Sequence, residues 1–403
     1  MSTLSERILG ASAGEYVDRK VDRAFACDGT GLLALEAWKN MGAGHLAETT
    51  ELSIFFDHIA PANNATTAAL QRELRGFAKS SFMQFSDVGG GICHQLMSEG
   101  VVLPGEIVVG ADSHSVTLGA FGAFATGVGA TDMAAIWLTG ETWFRVPESV
   151  GLHITGKFTG AAEAKDLALS YVGKLGTDGA TYQALEFVGD GMKNLAMDDR
   201  LVLANLSVEA GAKAGLCYAD ETTVRYLKER GHDVVPQVPE PCAYVQDLDF
   251  DLSDIVPMVA IPHRVDTVKP VAQISGLPID QVFVGTCTNG RYSDLERFAR
   301  IVKGKNVAVR TIVVPASAEI LAKTIRTGVL ADIVEAGCTI GTPGCGPCLG
   351  YHQGVIGEGE VCLSTANRNF KNRMGVGGEI YLSSVATAAA SALEGEITVP
   401  EVA

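Results

Sequence analysis

A chain of 403 residues exceeds what one hydrophobic core ordinarily organises, so two or three domains are expected. Its 47% hydrophobic and 19% charged residues are a globular composition, not a disordered one. A formal net charge of −16 argues against sequence-blind affinity for nucleic acid or an anionic membrane, so an anionic substrate has to be held by a few local cations.

In chain order, the N-terminal stretch MSTLSERILGASAGEYVDRK has no apolar core of signal-peptide length. Residues 1–150 mix strand-like runs (ELSIFF, GEIVVG) with a helical pattern, ATTAALQRELRGFAKS. The most apolar stretch, 119–138, carries Asp132 and repeated glycine, a poor membrane span. It reads as a buried turn followed by a helix starting near Thr131 or Asp132. Residues 151–230 repeat the alternation on a smaller scale: VGLHITGKF, a helix around AKDLALSYVGKL, then DDRLVLANLSVEAGAKAG. Six prolines between 236 and 270 suggest a connector. The last region, 263–403, alternates most cleanly. DQVFVG reads as a strand, SDLERFARIVKG as a helix capped by Ser293 or Asp294, and VAVRTIVVP as a strand. SAEILAKTIRTG is then a helix and EVCLSTA a strand, the signature of a parallel sheet covered by helices.

Nine cysteines, an odd number scattered over a long chain, do not form a disulfide framework, and a reducing, cytoplasmic setting is expected. The N-x-[ST] matches at Asn64 and Asn205 are then chance. Cys287 lies just past a strand, where open α/β sheets bind ligands, with Gly285 and Gly290 permitting close approach. Cys345 and Cys348 form a CxxC within TPGCGPCLG, which by itself leaves zinc, redox and cluster roles open. Among eight histidines, His58 follows Asp57, His114 follows Asp112 by two, and His94 sits in GGGICHQ. A carboxylate beside an imidazole sets its tautomer and raises its basicity, as proton transfer requires. Arg368 and Arg373 flank an Asn-rich turn in STANRNFKNRMG, planar cations suited to carboxylates.

Together DGTGLLALEAW, FFDHIAPAN, GGGICHQ, VLPGEIVVGADSHSVTLGAFGAFATGVGATD, DGATYQALEFVG, GTCTNGR, GCGPCLG and STANRNFKNRMG make the chain resemble, almost end to end, large subunits of the aconitase superfamily. The branch is that of archaeal-type 3-isopropylmalate dehydratase and homoaconitase. The resemblance implies three α/β domains (1–150, 151–262 and 263–403) around one [4Fe–4S] cluster. Its three ligands are then Cys287, Cys345 and Cys348, which leave one iron open, whereas four would close the cluster. That iron acts as a Lewis acid on a 2-hydroxy acid, which is dehydrated and rehydrated with its hydroxyl moved one carbon. By the same resemblance Asp57–His58, Asp112–His114 and His94 handle the hydroxyl, and Glu186 holds the water near the iron. Arg368, Arg373, Asp28 and Ser113 bind substrate, and Asn289 and Asn367 hydrogen-bond the cluster environment.

Two departures stand out. Cys27 occupies a position that is usually His, Asn or Gln, and a thiol binds a carboxylate weakly. The swivelling domain of single-chain aconitases, which supplies further arginines and a serine base, does not follow STANRNF, so the resemblance implies a separate small subunit in a heterodimer or heterotetramer. 3-Isopropylmalate ranks ahead of homocitrate because leucine biosynthesis is widespread; a dimethylmalate or maleate hydratase is a further alternative. A structural zinc site of Cys287, Cys338, Cys345 and Cys348 is the rival metal reading, although Cys338 in AGCTIG reads as core. GVGATD places Asp where a dinucleotide fingerprint needs its third glycine, so a dinucleotide role fails. No basic aromatic patch supports RNA binding.

Overall fold

The computed structural model describes residues 2–42 and 44–401, which form an α/β fold built on three principal parallel sheets. The first sheet holds five parallel strands, with Arg23–Cys27 at its centre between Glu51–Phe55 and Ile107–Gly110. A two-stranded antiparallel ribbon, Tyr16–Lys20 with Glu141–Arg145, flanks it. The second sheet has four parallel strands, Ser149–Thr155, Ala184–Val188, Ala214–Cys217 and Gln246–Asp251. The third has seven, with a parallel core around Gln281–Val284 and an antiparallel edge at Met258–Ala260 and Val268–Pro270. Buried strand runs such as IVVG and, after Gln281, VFV are apolar on both faces, as strands covered on both sides must be.

Local expectations meet three differences. The helix after the apolar stretch runs Ala130–Thr139 with Gly129 as N-cap, and Asp132 sits in its first turn near the positive end of the dipole. The helix Tyr292–Val302 is capped by Arg291, whose backbone N–H donates to Asp294, so Asp294 acts three residues inside the cap. The proline-rich stretch is more than a connector: it supplies three strands, Gln246–Asp251, Met258–Ala260 and Val268–Pro270. Val268–Pro270 is an edge strand, where the missing N–H of Pro270 costs no ladder bond. Met258–Ala260 pairs with Leu382 and Ser383, so the third sheet begins ahead of residue 263.

One glycine governs how closely the first two sheets meet. The 3₁₀ helix Ser113–Phe121, which carries His114, packs on the strand Ala214–Cys217. A Cβ on Gly119 would lie 2.0 Å from the Gly215 carbonyl oxygen, so only glycine allows this approach.

Candidate active site

Parallel strands end their carboxyl termini on the same side, and here those of the first and third sheets open on one cavity of about 300 Å³. Cys27 ends its strand, Asp57–His58 follows Glu51–Phe55, and Asp112 follows Ile107–Gly110. Cys287 follows Gln281–Val284, and Asn367–Arg368 follows Val361–Ser364. Register pairs Phe283 with Ser364, which sets those two loops side by side. Cys345 and Cys348 come from the short 3₁₀ turn after Thr339–Ile340. Ten of the residues singled out from the sequence line the cavity: His58, His94, Asp112, His114, Cys287, Cys345, Cys348, Asn367, Arg368 and Arg373. Cys27 lines it too, its Sγ 3.0 Å from Thr30 Oγ1.

Asp112 is the hub of the imidazoles. His94 Nε2 lies 3.0 Å from Asp112 Oδ1, His58 Nε2 lies 3.4 Å from Oδ2, and the His114 backbone N–H donates to Oδ1 at 2.8 Å. His58 Nδ1 is 2.7 Å from Asp57 Oδ1, so both ring nitrogens face carboxylates and both carry protons. Burial opposes that charge, but Cys27, Cys345, Asp57 and the Asp112 hydrogen bond raise His58 well above its ordinary value. Burial likewise opposes protonation of His94, yet Asp112 and a hydrogen bond to Cys287 lift it to about 10. Asp112 is held well below the carboxylate range: burial would raise it, but the His94 charge and the two imidazole hydrogen bonds outweigh that.

The sulfurs sit in unequal fields. Asn205 Nδ2 donates to Cys287 Sγ at 3.1 Å and Asn367 Nδ2 at 3.3 Å. Against burial, the His94 hydrogen bond and the His114 and His94 charges bring the Cys287 thiol down to about 6. Arg373 donates to Cys348 Sγ at 3.7 Å. Burial pushes Cys345 well up, and His58 offsets this only in part. The donor set suits a thiolate-bound group: three buried cysteines on one wall, with amide and guanidinium donors aimed at two of the sulfurs. Arg373 Nε and Asn367 Oδ1 are also buried there with no protein partner. Cys338 does not line the cavity with them; its amide donates to the Ile333 carbonyl and it is packed in the third sheet's core with Ile333 and Ala336. A closed four-cysteine site is therefore not formed. Cys27, Asp28, Asp57 and His58 also bring ligand atoms within 4.8 Å of one another. The Asp28 and Asp57 oxygens in that group already accept hydrogen bonds from protein donors.

Several expected residues act elsewhere. Glu186 is not in the cavity. Its carboxylate accepts from the Leu4 and Ser5 amides (3.1 and 3.2 Å) and from Ser149 (2.9 Å), so it anchors the N-terminal helix Leu4–Leu9. Asp28 does not line the cavity; it is a buried strut, accepting from the His58 and Ile59 amides (3.0 and 2.9 Å) and from Gln71. Asp57 lies behind His58 and accepts the Cys93 amide at 2.7 Å. Ser113 lines an adjoining cavity of about 700 Å³ that shares Asp112. Asn289 sits behind the wall, donating to Asp294 at 3.0 Å.

Glu209 is the residue sequence reasoning missed. Its Oε1 accepts from Arg368 Nε at 2.7 Å and pairs with His114 Nε2 at 2.8 Å. Burial would raise Glu209, but His114 and Arg368 hold it below its ordinary value. Asn205 was missed with it. The two are four residues apart, and the carboxylate-after-amide spacing on a glycine-ended helix was the available signal.

Comparisons with known proteins bear on this arrangement. The family model described as Aconitase family (aconitate hydratase) matches residues 6–395. A probable methanogen homoaconitase large subunit from Methanosarcina mazei is 53% identical over 94% of this chain and 98% of its own. The 3-isopropylmalate dehydratase large subunit 1 of Methanopyrus kandleri is 46% identical, covering 99% and 98%. The homoaconitase large subunit of Thermus thermophilus is also 46% identical, covering 99% and 97%. Among solved structures, the holo-form of Thermococcus kodakaraensis aconitase X superposes with a TM-score of 0.54 at 12% identity, covering 87% of this chain and 84% of that one. That likeness speaks to the fold alone.

Proposed function

The chain belongs to the aconitase family, and from that premise we propose that it is the large subunit of a 3-isopropylmalate dehydratase. It is a hydro-lyase that interconverts 2- and 3-isopropylmalate in leucine biosynthesis, working in the cytoplasm; the large-subunit names of its relatives support a separate small subunit. The observation that carries the reading is one cavity collecting three cysteines, an imidazole–carboxylate relay and two arginines. Cys287, Cys345 and Cys348 would hold one [4Fe–4S] cluster. When bound, it supplies a Lewis-acidic iron with an open position for the substrate's hydroxyl and one carboxylate.

The chain's own groups divide the remaining work. Arg368 and Arg373 are the only lysine or arginine side chains among the described cavity-lining residues, planar cations suited to a substrate carboxylate. Glu209 orients Arg368 and sets the tautomer of His114. His58 lines the cavity and is the proton donor to the departing hydroxyl, because Asp57 and Asp112 keep both nitrogens protonated while Nε2, 3.4 Å from Asp112 against 2.7 Å between Nδ1 and Asp57, is the more loosely held. On rehydration the same nitrogen takes the proton back from water. His94, 3.0 Å from Asp112, is held in its charged form and draws the Cys287 thiol down. The group that removes the carbon-bound proton is assigned to the small subunit.

A homocitrate-type substrate is the second reading, favoured by the 53% identity to a methanogen homoaconitase large subunit. The deciding experiment purifies the chain anaerobically with its small subunit and assays isopropylmalate against homocitrate and homoisocitrate. Turnover of isopropylmalate supports the first reading, turnover of the tricarboxylates alone replaces it with the second, and no turnover of either with an intact cluster rejects both.

A further inference from the structure

Two buried cations stand behind the cysteine wall with no part in the chemistry above. Lys165, on the helix Ala164–Leu175 that covers the second sheet, is 1% exposed. Its Nζ donates to the Thr365 carbonyl at 2.6 Å, the Ala366 carbonyl at 2.8 Å and Asn289 Oδ1 at 3.4 Å. An ammonium has three N–H donors and no acceptor, and these three oxygens use all of them. A neutral amine would turn its lone pair on an oxygen, so the geometry holds the charged form although burial acts against it. Arg291, 2% exposed, donates from Nη2 to the Cys287 carbonyl at 2.7 Å and from Nη1 to the Thr288 carbonyl. The two loops so gripped are also stitched to each other: Thr288 Oγ1 donates to the Thr365 carbonyl at 2.7 Å, and Thr365 Oγ1 exchanges bonds with Gly285.

Four carbonyls on two adjacent loops therefore point at two buried cations. Fixing these carbonyls fixes the two stretches of backbone that carry Cys287 Sγ and Asn367 Nδ2, 3.3 Å apart at the cavity wall. Thr286, beside Cys287, adopts a φ of +78°, a conformation costly for a β-branched residue and kept only where the surroundings over-determine it. Lys165 also comes from a different layer than the loops it grips, so it ties the second sheet's helix to the third sheet's site.

We infer that Lys165 and Arg291 are positioning residues for the cluster site: two buried cations that draw the carbonyls of loops 285–291 and 365–369 inward and thereby present Cys287 and Asn367 to the cavity. This rests on the cluster reading above. It adds that the charge of Lys165, one layer behind the sulfurs, lowers the energy of added electron density on whatever those sulfurs hold.

The test compares wild type with Lys165→Met, Arg291→Met and Arg291→Lys, each in the full chain with its small subunit. Amide hydrogen exchange of residues 286–289 and 365–368 is read on the cluster-free protein. Cluster retention in air, by visible absorbance and iron per chain, and the midpoint potential are read on anaerobically reconstituted protein. We expect both Met variants to exchange about tenfold faster in these loops and to lose iron several-fold faster. Lys165→Met should also shift the potential to more negative values, and Arg291→Lys should recover most of the wild-type behaviour. Met variants with wild-type exchange and retention would overturn the inference, as would Arg291→Lys behaving like Arg291→Met. If Lys165→Met does not fold, the Arg291 pair decides. If wild type takes up no iron and sulfide, the cluster reading fails, while loop exchange in the cluster-free protein still judges the clamp.

Discussion

His58 shows how a residue's role follows from two neighbours. A single carboxylate would raise its basicity; Asp57 and Asp112, one at each nitrogen, oblige it to carry two protons. His58→Gln in the assembled enzyme should lower kcat by roughly 10²–10⁴-fold, the usual range for a general acid, with the visible absorbance of the cluster retained. Retained kcat, or lost absorbance, would move His58 out of the acid role. The two glutamates make a paired prediction. Glu209→Gln weakens the acceptor shared by His114 and Arg368 and should cost roughly 100-fold in kcat/KM, the scale of a misplaced reacting group. Glu186→Gln should leave kcat unchanged and cost about 1–3 kcal/mol of stability, because the buried Leu4 and Ser5 amides lose their best acceptor. Denaturant titration beside steady-state kinetics separates the two, and an inactive but stable Glu186→Gln would reverse their assignment.

At the scale of elements, the seam between the helix Ala164–Leu175 and its neighbours contains buried acids. Glu163 accepts the Ala386 amide at 3.0 Å, and Asp166 accepts the Met258 amide at 2.8 Å. Burial raises Glu163 to about 7, against the Arg297 charge, and burial with the Glu163 charge raises Asp166 to about 8. Both values lie above those of the unfolded chain, so the folded state keeps protons that the unfolded state releases. This contribution to stability is complete below about pH 4 and is lost as pH rises through 7 to 8. His58 and His94 act in the same direction, while Cys287, drawn down to about 6, offsets one proton's worth of the decline between pH 6 and 9. Urea midpoints should therefore fall between pH 6 and pH 9, by at most about 1.4 kcal/mol per pH unit for each proton involved. Glu163→Gln, neutral at every pH, should make the decline shallower; an unchanged or rising midpoint across that range contradicts this account.

At the scale of the whole molecule, the candidate ligands belong to separate turns of the third sheet, and the imidazoles face them from the first. A group bound by all three cysteines would link these turns, and binding to the folded state alone stabilises it by about 2.7 kcal/mol at a hundredfold excess over Kd. Anaerobic loading should therefore raise the unfolding temperature by a few degrees in wild type and in Cys338→Ser, but not in Cys287→Ser. Loss of the gain in Cys338→Ser would restore the closed four-cysteine site. Much of this was legible beforehand. Cys287, the CxxC and the Asp–His pairs stood in turns after apolar runs, and turn chemistry is local. The helix Ala65–Ser80 was read to its ends, because 3.6-residue periodicity and an Asn cap are local as well. Glu186 and Glu209 were not separable, since both stand in apolar surroundings in the second sheet's region and only the packing of distant elements decides which one meets His114. Asn205 was discounted as a chance glycosylation match, and Lys165 and Arg291 were invisible because their partners are backbone carbonyls, which every residue has. The sequence alone thus determined the alternation of elements, the parallel sheets and the reactive residue types, all written in periodicity and in turn-forming neighbours. Which carboxylate orients a histidine, which cysteine stays in the core and which cations hold the loops were decided only in three dimensions, because the contacts of Glu209, Asn367 and Lys165 join residues 80 to 201 positions apart.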